Sequence, residues 1–381
     1  MMKLKYGVVL LLLTFLFSNA QSQKTKPWKK GILVDEFIYD TAPFPSCHAA
    51  TIAETPAGLV TAWFGGTREG ASDVEIWSSR LVNDKWTKPA SIANGIINDT
   101  LRKACYNPVL YQIPGGDLLL FFKIGKNVGD WKGYFKKSSD NGITWSERIP
   151  LQEGYLGPTK TKPIMLSNGK IIAPSSIENS PGWRVYFEIS DDTTKTWRKV
   201  GPINTGTDVN IIQPAIIVHK NGQLQIFCRS KQREIFTSWS NDNGETWSKV
   251  EPSGLPNNNS GVDAVSLKDG RFLLVYNHVR PADSLKNGKG PRTPLNVAVS
   301  KDGKTWYASL ILEDSPISQY SYPFAIQSKD GMVHIVYTWR RQKIKYVKID
   351  PSKLTTKKIV SGKWPKMKGY KAPGNGIATD D

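Results

Sequence analysis

The chain has 381 residues, with 51 Lys and Arg against 33 Asp and Glu, for a net charge of +18. Three cysteines, Cys47, Cys105 and Cys228, are too few for a disulfide-held scaffold and read as small buried residues. Lysines scattered along the chain, not grouped with aromatics, argue against a nucleic-acid binder; the basic surface suits a different anionic partner.

Residues 1–22, MMKLKYGVVLLLLTFLFSNAQS, have the layout of a signal peptide. Lys3 and Lys5 precede an apolar run from Val8 to Phe17, and Ser18-Asn19-Ala20 supplies small residues for cleavage. The run is too short to span a bilayer in the mature protein, and no later stretch is long enough. No cysteine follows it to carry a lipid. The expectation is an exported protein, periplasmic or secreted, with no membrane insertion and a single mature domain over 23–381.

That domain reads as all-β. Thirteen Trp, 14 Tyr and 13 Phe beside 32 Gly and 24 Pro suit strands joined by tight turns. The first strand-like run, Ile32 to Tyr39, stands apart from the later runs. Six turn signals then separate pairs of apolar runs: Pro56-Ala57-Gly58, Gly115-Gly116, Asn168-Gly169, Asn221-Gly222, Asp269-Gly270 and Asp330-Gly331. Asn-Gly and Asp-Gly in such a setting are hairpin cues. Four leading strands open with X-Pro, at Pro108, Pro163, Pro214 and Pro323. Proline is tolerated where no ladder donor is needed, as on an innermost strand with one free edge.

A second repeat lies between the hairpins. Ser138 to Trp145 (SSDNGITW) and Ser240 to Trp247 (SNDNGETW) share S-x-D-x-G-x-T-W. Ser190 to Trp197 (SDDTTKTW) lacks the glycine, Ser300 to Trp306 (SKDGKTW) is one residue shorter, and Asn83-Asp84-Lys85-Trp86 is a worn copy. The tryptophans at 86, 145, 197, 247 and 306 fall 50 to 59 residues apart, the length of one four-stranded blade. The expected fold is a six-bladed β-propeller with Asp-box repeats. The sixth repeat lacks a box, so Ile32 to Tyr39 is expected to complete its blade and close the ring. The polar tail from about Ser361 is expected to be peripheral. The Asp of each box reads as an acceptor for backbone donors within its own turn, a folding element with no catalytic part.

Alternation along the blades sorts residues by face. With the Gly turns on one face, the opposite mouth collects the starts of inner strands and the ends of their partners. The starts supply His48, Asn107, Lys162, Gln213, Asp263 and Tyr322; the ends supply Arg68, Lys123, Glu178, Arg229, His278 and Arg340. His48 and His278 are the expected base and acid, in either order, with Tyr322 as a substitute for either. Arg229 and Arg68 are expected to grip a carboxylate through the guanidinium fork, with Asp73 following Arg68 in the same loop. Asn107, Lys162 and Gln213 are expected to bind hydroxyls. His219 abuts a Gly turn and His334 lies mid-strand, so both read as structural.

The boxes and the mature chain as a whole resemble the sialidase-like BNR/Asp-box family. That resemblance implies Asp73 as acid/base, Arg229 as the second of three carboxylate-binding arginines and Tyr322 as nucleophile. Two family features are replaced: Pro45-Ser46-Cys47-His48 stands where an Arg-Ile-Pro is usual, and Gln213 where a glutamate activates the tyrosine. An amide cannot take the tyrosine's proton. Cys47 to Thr51, Phe64 to Thr67 and Asn107 to Leu110 resemble the branch of these propellers found in bacterial polysaccharide degradation. The resemblance implies a lyase or dehydratase that eliminates across C4–C5 of the non-reducing-end glucuronate or iduronate of ulvan-type anionic oligosaccharides. An exo-α-sialidase and a non-catalytic glycan-binding propeller are the alternatives. No H-E-x-x-H or C-x-x-C motif is present, so neither cofactor nor essential metal is expected, and a monomer is expected.

Overall fold

The computed structural model describes residues 26–190 and 194–370. The predicted signal peptide, Asp191 to Thr193 of the third box and the last residues of the tail lie outside the described residues. Among the described residues, no helix is long and apolar enough to cross a membrane.

Six antiparallel sheets of four or five strands follow one another round a ring. Their inner strands are Ser46–Thr55, Ala104–Gln112, Ile164–Met165, Ile211–Val218, Asp263–Ser266 and Tyr320–Gln327. Pro108, Pro214 and Pro323 sit on inner strands and Pro163 just before one, as the free edge toward the channel requires. Ile32–Phe37 pairs antiparallel with Lys343–Ile349 and forms the outer strand of blade six. An early strand thus completes the sixth blade and, among the described residues, closes the ring. The three cysteines are free and buried.

The Asp boxes are turns, as their chemistry predicts. Asp140 Oδ1 accepts from the backbone N–H of Ile143 (3.1 Å) and Thr144 (2.9 Å), and the Thr144 hydroxyl holds Oδ2. The Thr144 bonds hold this carboxyl down at about 2. Asp242 repeats the pattern with Thr246 and Ser240. Between neighbouring blades the box tryptophans cover apolar strands: Trp247 stacks on Phe187 at 4.2 Å and Trp306 meets Phe227 edge-on at 5.4 Å.

One feature of the inner strands was not foreseen. In four blades two residues of the inner strand oppose one residue of its partner, a β-bulge. The bulged pairs are Ala49-Ala50, Asn107-Pro108, Gln213-Pro214 and Tyr322-Pro323. The first residue of each has a left-handed backbone, with φ of 56° at Ala49, 38° at Asn107, 56° at Gln213 and 54° at Tyr322. Such a conformation costs of order 1–3 kcal/mol for a residue with a Cβ. It recurs where the strand enters the mouth.

The closing strand predicts that deleting residues 26–37 lowers Tm by about 5 °C or more, since it removes a ladder and exposes the edge of blade six. Leu33→Ser, at an exposed position of the same strand, is expected to change Tm little; calorimetry on the two variants checks both.

Candidate functional site

The bulges carry Asn107, Gln213 and Tyr322 to the mouth, and the residue before the bulge of blade one is His48. His48 and Tyr322 lie with ring centres 4.1 Å apart, both buried. Tyr322 Oη accepts from Arg229 Nη1 at 2.7 Å and from Gln213 Nε2 at 3.3 Å. The Gln213 orientation follows from its other end, where Oε1 accepts from the same Arg229 Nη1 at 3.4 Å. Two donors on the phenolic oxygen leave its own proton for a ligand. Among the described residues no carboxylate touches that oxygen.

Cations surround this pair. Lys160 Nζ lies 5.9 Å from the Tyr322 ring centre, and the guanidinium carbons of Arg229 and Arg292 each lie 5.7 Å from it. The Arg341 backbone carbonyl accepts from Cys47 N–H at 2.7 Å, which brings Arg341 beside His48, and its side chain pairs with Glu69 at 2.6 Å. Burial, and then the positive charges of Arg341, Arg292, Arg229 and Lys160, push the His48 imidazole well below its usual range. His48 is therefore neutral at physiological pH. Its Nδ1 is 2.9 Å from Thr338 Oγ1, which also accepts from Ala49 N–H, and no hydrogen bond to a described residue engages Nε2. Lys160 donates to the carbonyls of Val262 and Pro323, and burial brings its ammonium down to about 7. Glu178, at the rim, is pushed up by burial against the pull of Arg229 and Lys231.

Several expectations are corrected. His278 does not join His48: Nδ1 is 2.7 Å from Tyr276 Oη, Nε2 is 3.0 Å from the Gly362 carbonyl, and the ring packs on Trp364. Both ring nitrogens are thus taken, one by the blade itself and one by the peripheral tail, and burial lowers the imidazole to about 4. Strand end and mouth part company here because the strand stops at Tyr276 and the chain turns outward toward 362–364. Lys162 pairs with the buried Asp263 at 2.9 Å, donates to the Ala264 carbonyl and lies over Phe324, so its ammonium is already engaged within the protein. Arg68 is exposed, in water where a guanidinium pair gains little. Its neighbour Glu69 makes the contact to the mouth instead, through Arg341.

Asp73 Oδ2 closes its own loop by accepting from Thr67 N–H at 2.9 Å and from the Thr67 hydroxyl at 2.5 Å. Slight burial raises its carboxyl, but those Thr67 bonds outweigh it and hold the group low, so at neutral pH it is ionised and has no proton to give. Asn107 donates to the Thr159 carbonyl at 3.0 Å and so ties blade two to blade three. Arg229 is locked by Asn259: Nε donates to Asn259 Oδ1 at 2.9 Å and Nη2 to the Asn259 carbonyl. It holds Tyr322 with Gln213; an open two-toothed grip on a carboxylate is not left to it alone.

Arg292, Arg341, Lys160 and Asn259 were missed. Arg292 precedes the third strand of blade five, Leu295–Ser300, and Arg341 sits between the second and third strands of blade six. Third strands begin on the face where second strands end, so the same alternation, carried one strand further, points to both arginines.

A family model described as BNR repeat-like domain matches residues 57–335. A sialidase of Clostridium perfringens is 24% identical over 214 residues, covering 44% of this chain and 56% of the sialidase. The chain thus spans little more than half the length of that relative. Among solved structures, one of unknown function from Dyadobacter fermentans superposes with a TM-score of 0.68 at 19% identity, over 84% of this chain and 99% of its own. The Hadza microbial sialidase Hz136 gives 0.71 at 15%, over 84% and 69%. The α-L-arabinanase of Penicillium chrysogenum gives 0.63 at 17%, over 85% and 99%. At these identities the superpositions speak for the fold.

The cation cluster predicts a distinctive titration. In the free protein the His48 ring stays neutral through the range in which an ordinary imidazole titrates, and a bound carboxylate, by offsetting the guanidinium charges, raises its pKa. In histidine-labelled protein followed by NMR, added glucuronate is expected to move the His48 titration upward and to leave His219, His278 and His334 where they are.

Proposed function

The chain belongs to the BNR repeat-like domain family, and on that footing we propose that it is an exported enzyme of glycan breakdown which eliminates across C4–C5 of a terminal uronic acid. The substrates of this reading are ulvan-type anionic oligosaccharides with glucuronate or iduronate at the non-reducing end. The observation that carries it is the buried His48–Tyr322 pair inside a ring of cations. Such a ring favours an anionic ligand, because an added carboxylate offsets charges already held out of water. Arg292 and Arg341, with the field of Arg229 and Lys160, neutralise the carboxylate and so acidify the proton on C5.

Neutral His48 takes that proton at Nε2. The C5–H electron pair forms the C4=C5 double bond, the C4–O bond breaks, and Tyr322 gives its phenolic proton to the departing oxygen. Arg229 and Gln213, already donating to that phenolic oxygen, stabilise the charge left on it. Proton exchange between imidazolium and phenolate restores the pair. If the group on C4 is a hydroxyl, water leaves and the enzyme is a dehydratase; if it is a sugar oxygen, the enzyme is an exo-lyase.

A second reading is favoured by one observation: Arg229 and Arg292 flank the Tyr322 ring and Arg341 lies beside His48, three arginines round the pair in an arrangement suited to a sialic acid carboxylate. It makes the protein an exo-α-sialidase-type hydrolase. Against it stands Gln213, which donates to the tyrosine and has no means of accepting its proton.

Incubation with uronate-terminated oligosaccharides is expected to raise ultraviolet absorbance from the conjugated product, and a mass loss of one water distinguishes dehydration from cleavage. His48→Ala and Tyr322→Phe are expected to lower kcat by about 10²–10⁴, while His278→Ala keeps it within about threefold. Release of free sialic acid without an absorbance gain establishes the hydrolase instead. Binding of the oligosaccharide with neither product makes the protein a glycan-binding propeller.

A further inference from the structure

Between blades two and three a cleft of about 630 Å³ opens beside the mouth, well within the size of small-molecule sites. Its walls come from three segments. One runs from Val128 through Trp131 to Tyr134, one from Pro150 through Tyr155 to Leu156, and the third is the strand end Ser176 to Asn179. The inner end meets the site directly. Ser176 Oγ accepts from Gln213 N–H at 3.2 Å, and Gln213 in turn holds Tyr322. The next lining side chain, Glu178, lies within the field of Arg229.

The character of the cleft differs from that of the mouth. Its aromatic residues are braced from behind. Trp131 packs on Tyr106 with ring centres 5.2 Å apart, Tyr134 stacks on Phe122 at 5.9 Å, and Lys199 lies over Tyr155 at 4.8 Å while reaching the Gly154 carbonyl. The Trp131 Nε1–H is buried and has no acceptor in the protein. Among the described residues Lys132 is the one cation of the lining, and Asp130 is paired with Lys103 at 2.7 Å. With Glu153 and Glu178 the lining holds more carboxylates than cations; rigid aromatic walls of this kind bind the apolar faces of rings and offer partners to hydroxyls, and they do not select an anion.

We propose that this cleft is the subsite for the sugar units that follow the terminal residue. The protein then acts on oligosaccharides laid along the seam between blades two and three, and a monosaccharide binds poorly. Trp131 and Tyr155 supply stacking surfaces, and the mouth alone reads the acid. The inference rests on the reading that an acidic sugar terminus sits at His48 and Tyr322, and it adds how substrate length is recognised.

Calorimetry with glucuronic acid and with glucuronate-terminated di- and tetrasaccharides tests it. In the native protein Kd is expected to fall by about tenfold or more from mono- to tetrasaccharide. Trp131→Ala is expected to abolish most of that gain and to leave the monosaccharide Kd unchanged. Gln152→Trp, at an exposed position of the cleft wall, fills the same space without touching the core and is expected to do likewise. Raising the salt concentration should weaken all three ligands by a similar factor, since the charge is read at the mouth. A tetrasaccharide that binds no more tightly than glucuronic acid overturns the cleft subsite and leaves the mouth reading standing. A loss equal for all three ligands in both variants overturns it as well. Absence of binding by all three removes the acidic-terminus reading and the subsite with it.

Discussion

Two residues of an inner strand facing one residue of its partner, four times round the ring, turn a repeating fold into a site. Regular pleating sends alternate side chains to one blade surface or the other and none along the strand axis into the mouth. The bulge breaks that alternation. At Asn107, Gln213 and Tyr322 it combines a left-handed backbone with a following proline that has no N–H to give to the ladder. At blade one the same irregularity falls on Ala49 and leaves His48 beside it. Local strain of this kind persists only where the surroundings enforce it, and here the enforcing framework is a closed ring of six sheets.

On this frame the electrostatics are organised in two layers. Arg229, held by Asn259, and Gln213 form a fixed bracket for the Tyr322 oxygen. Arg292, Arg341 and Lys160 close round the bracket, and together with burial they keep His48 uncharged. The same charges that would suit a carboxylate thus leave a neutral imidazole beside it, as the proposed elimination needs. The amide at position 213 donates to the tyrosine and accepts from Arg229; in the proposed reaction proton movement falls to the imidazole and the phenol. The adjoining cleft, aromatic and with more carboxylates than cations in its lining, differs from the mouth in charge; on the proposed reading the mouth recognises the acid and the seam recognises the rings.

The sequence resolved the architecture well because the signals of a propeller are local. An Asp box closes within one turn through bonds such as Asp140 to Thr144, and Gly turns between apolar runs need no distant partner. Even the closure was legible, since a sixth repeat short of one strand and an unassigned strand at Ile32 leave one economical pairing. Within the site His48, Asn107, Gln213, Arg229 and Tyr322 were found because they lie at strand ends whose face the alternation decides. Asp73 and Lys162 meet Thr67 and Asp263, and Arg68 is exposed: the alternation says which face a residue approaches and not whether its charge has already met a partner there.

What the chain alone determined, then, is the repeat, the closed all-β ring and the face on which polar groups gather, since each depends on interactions within a few residues or on strict strand periodicity. Tertiary structure decided which of those groups share one space. His278 left the site because Tyr276 and the tail at Gly362 took its two nitrogens, and Arg292 and Arg341 entered it from loops of blades five and six. Contacts between residues such as Arg229 and Tyr322, 93 positions apart, are set by how six sheets close, and no local pattern encodes that distance.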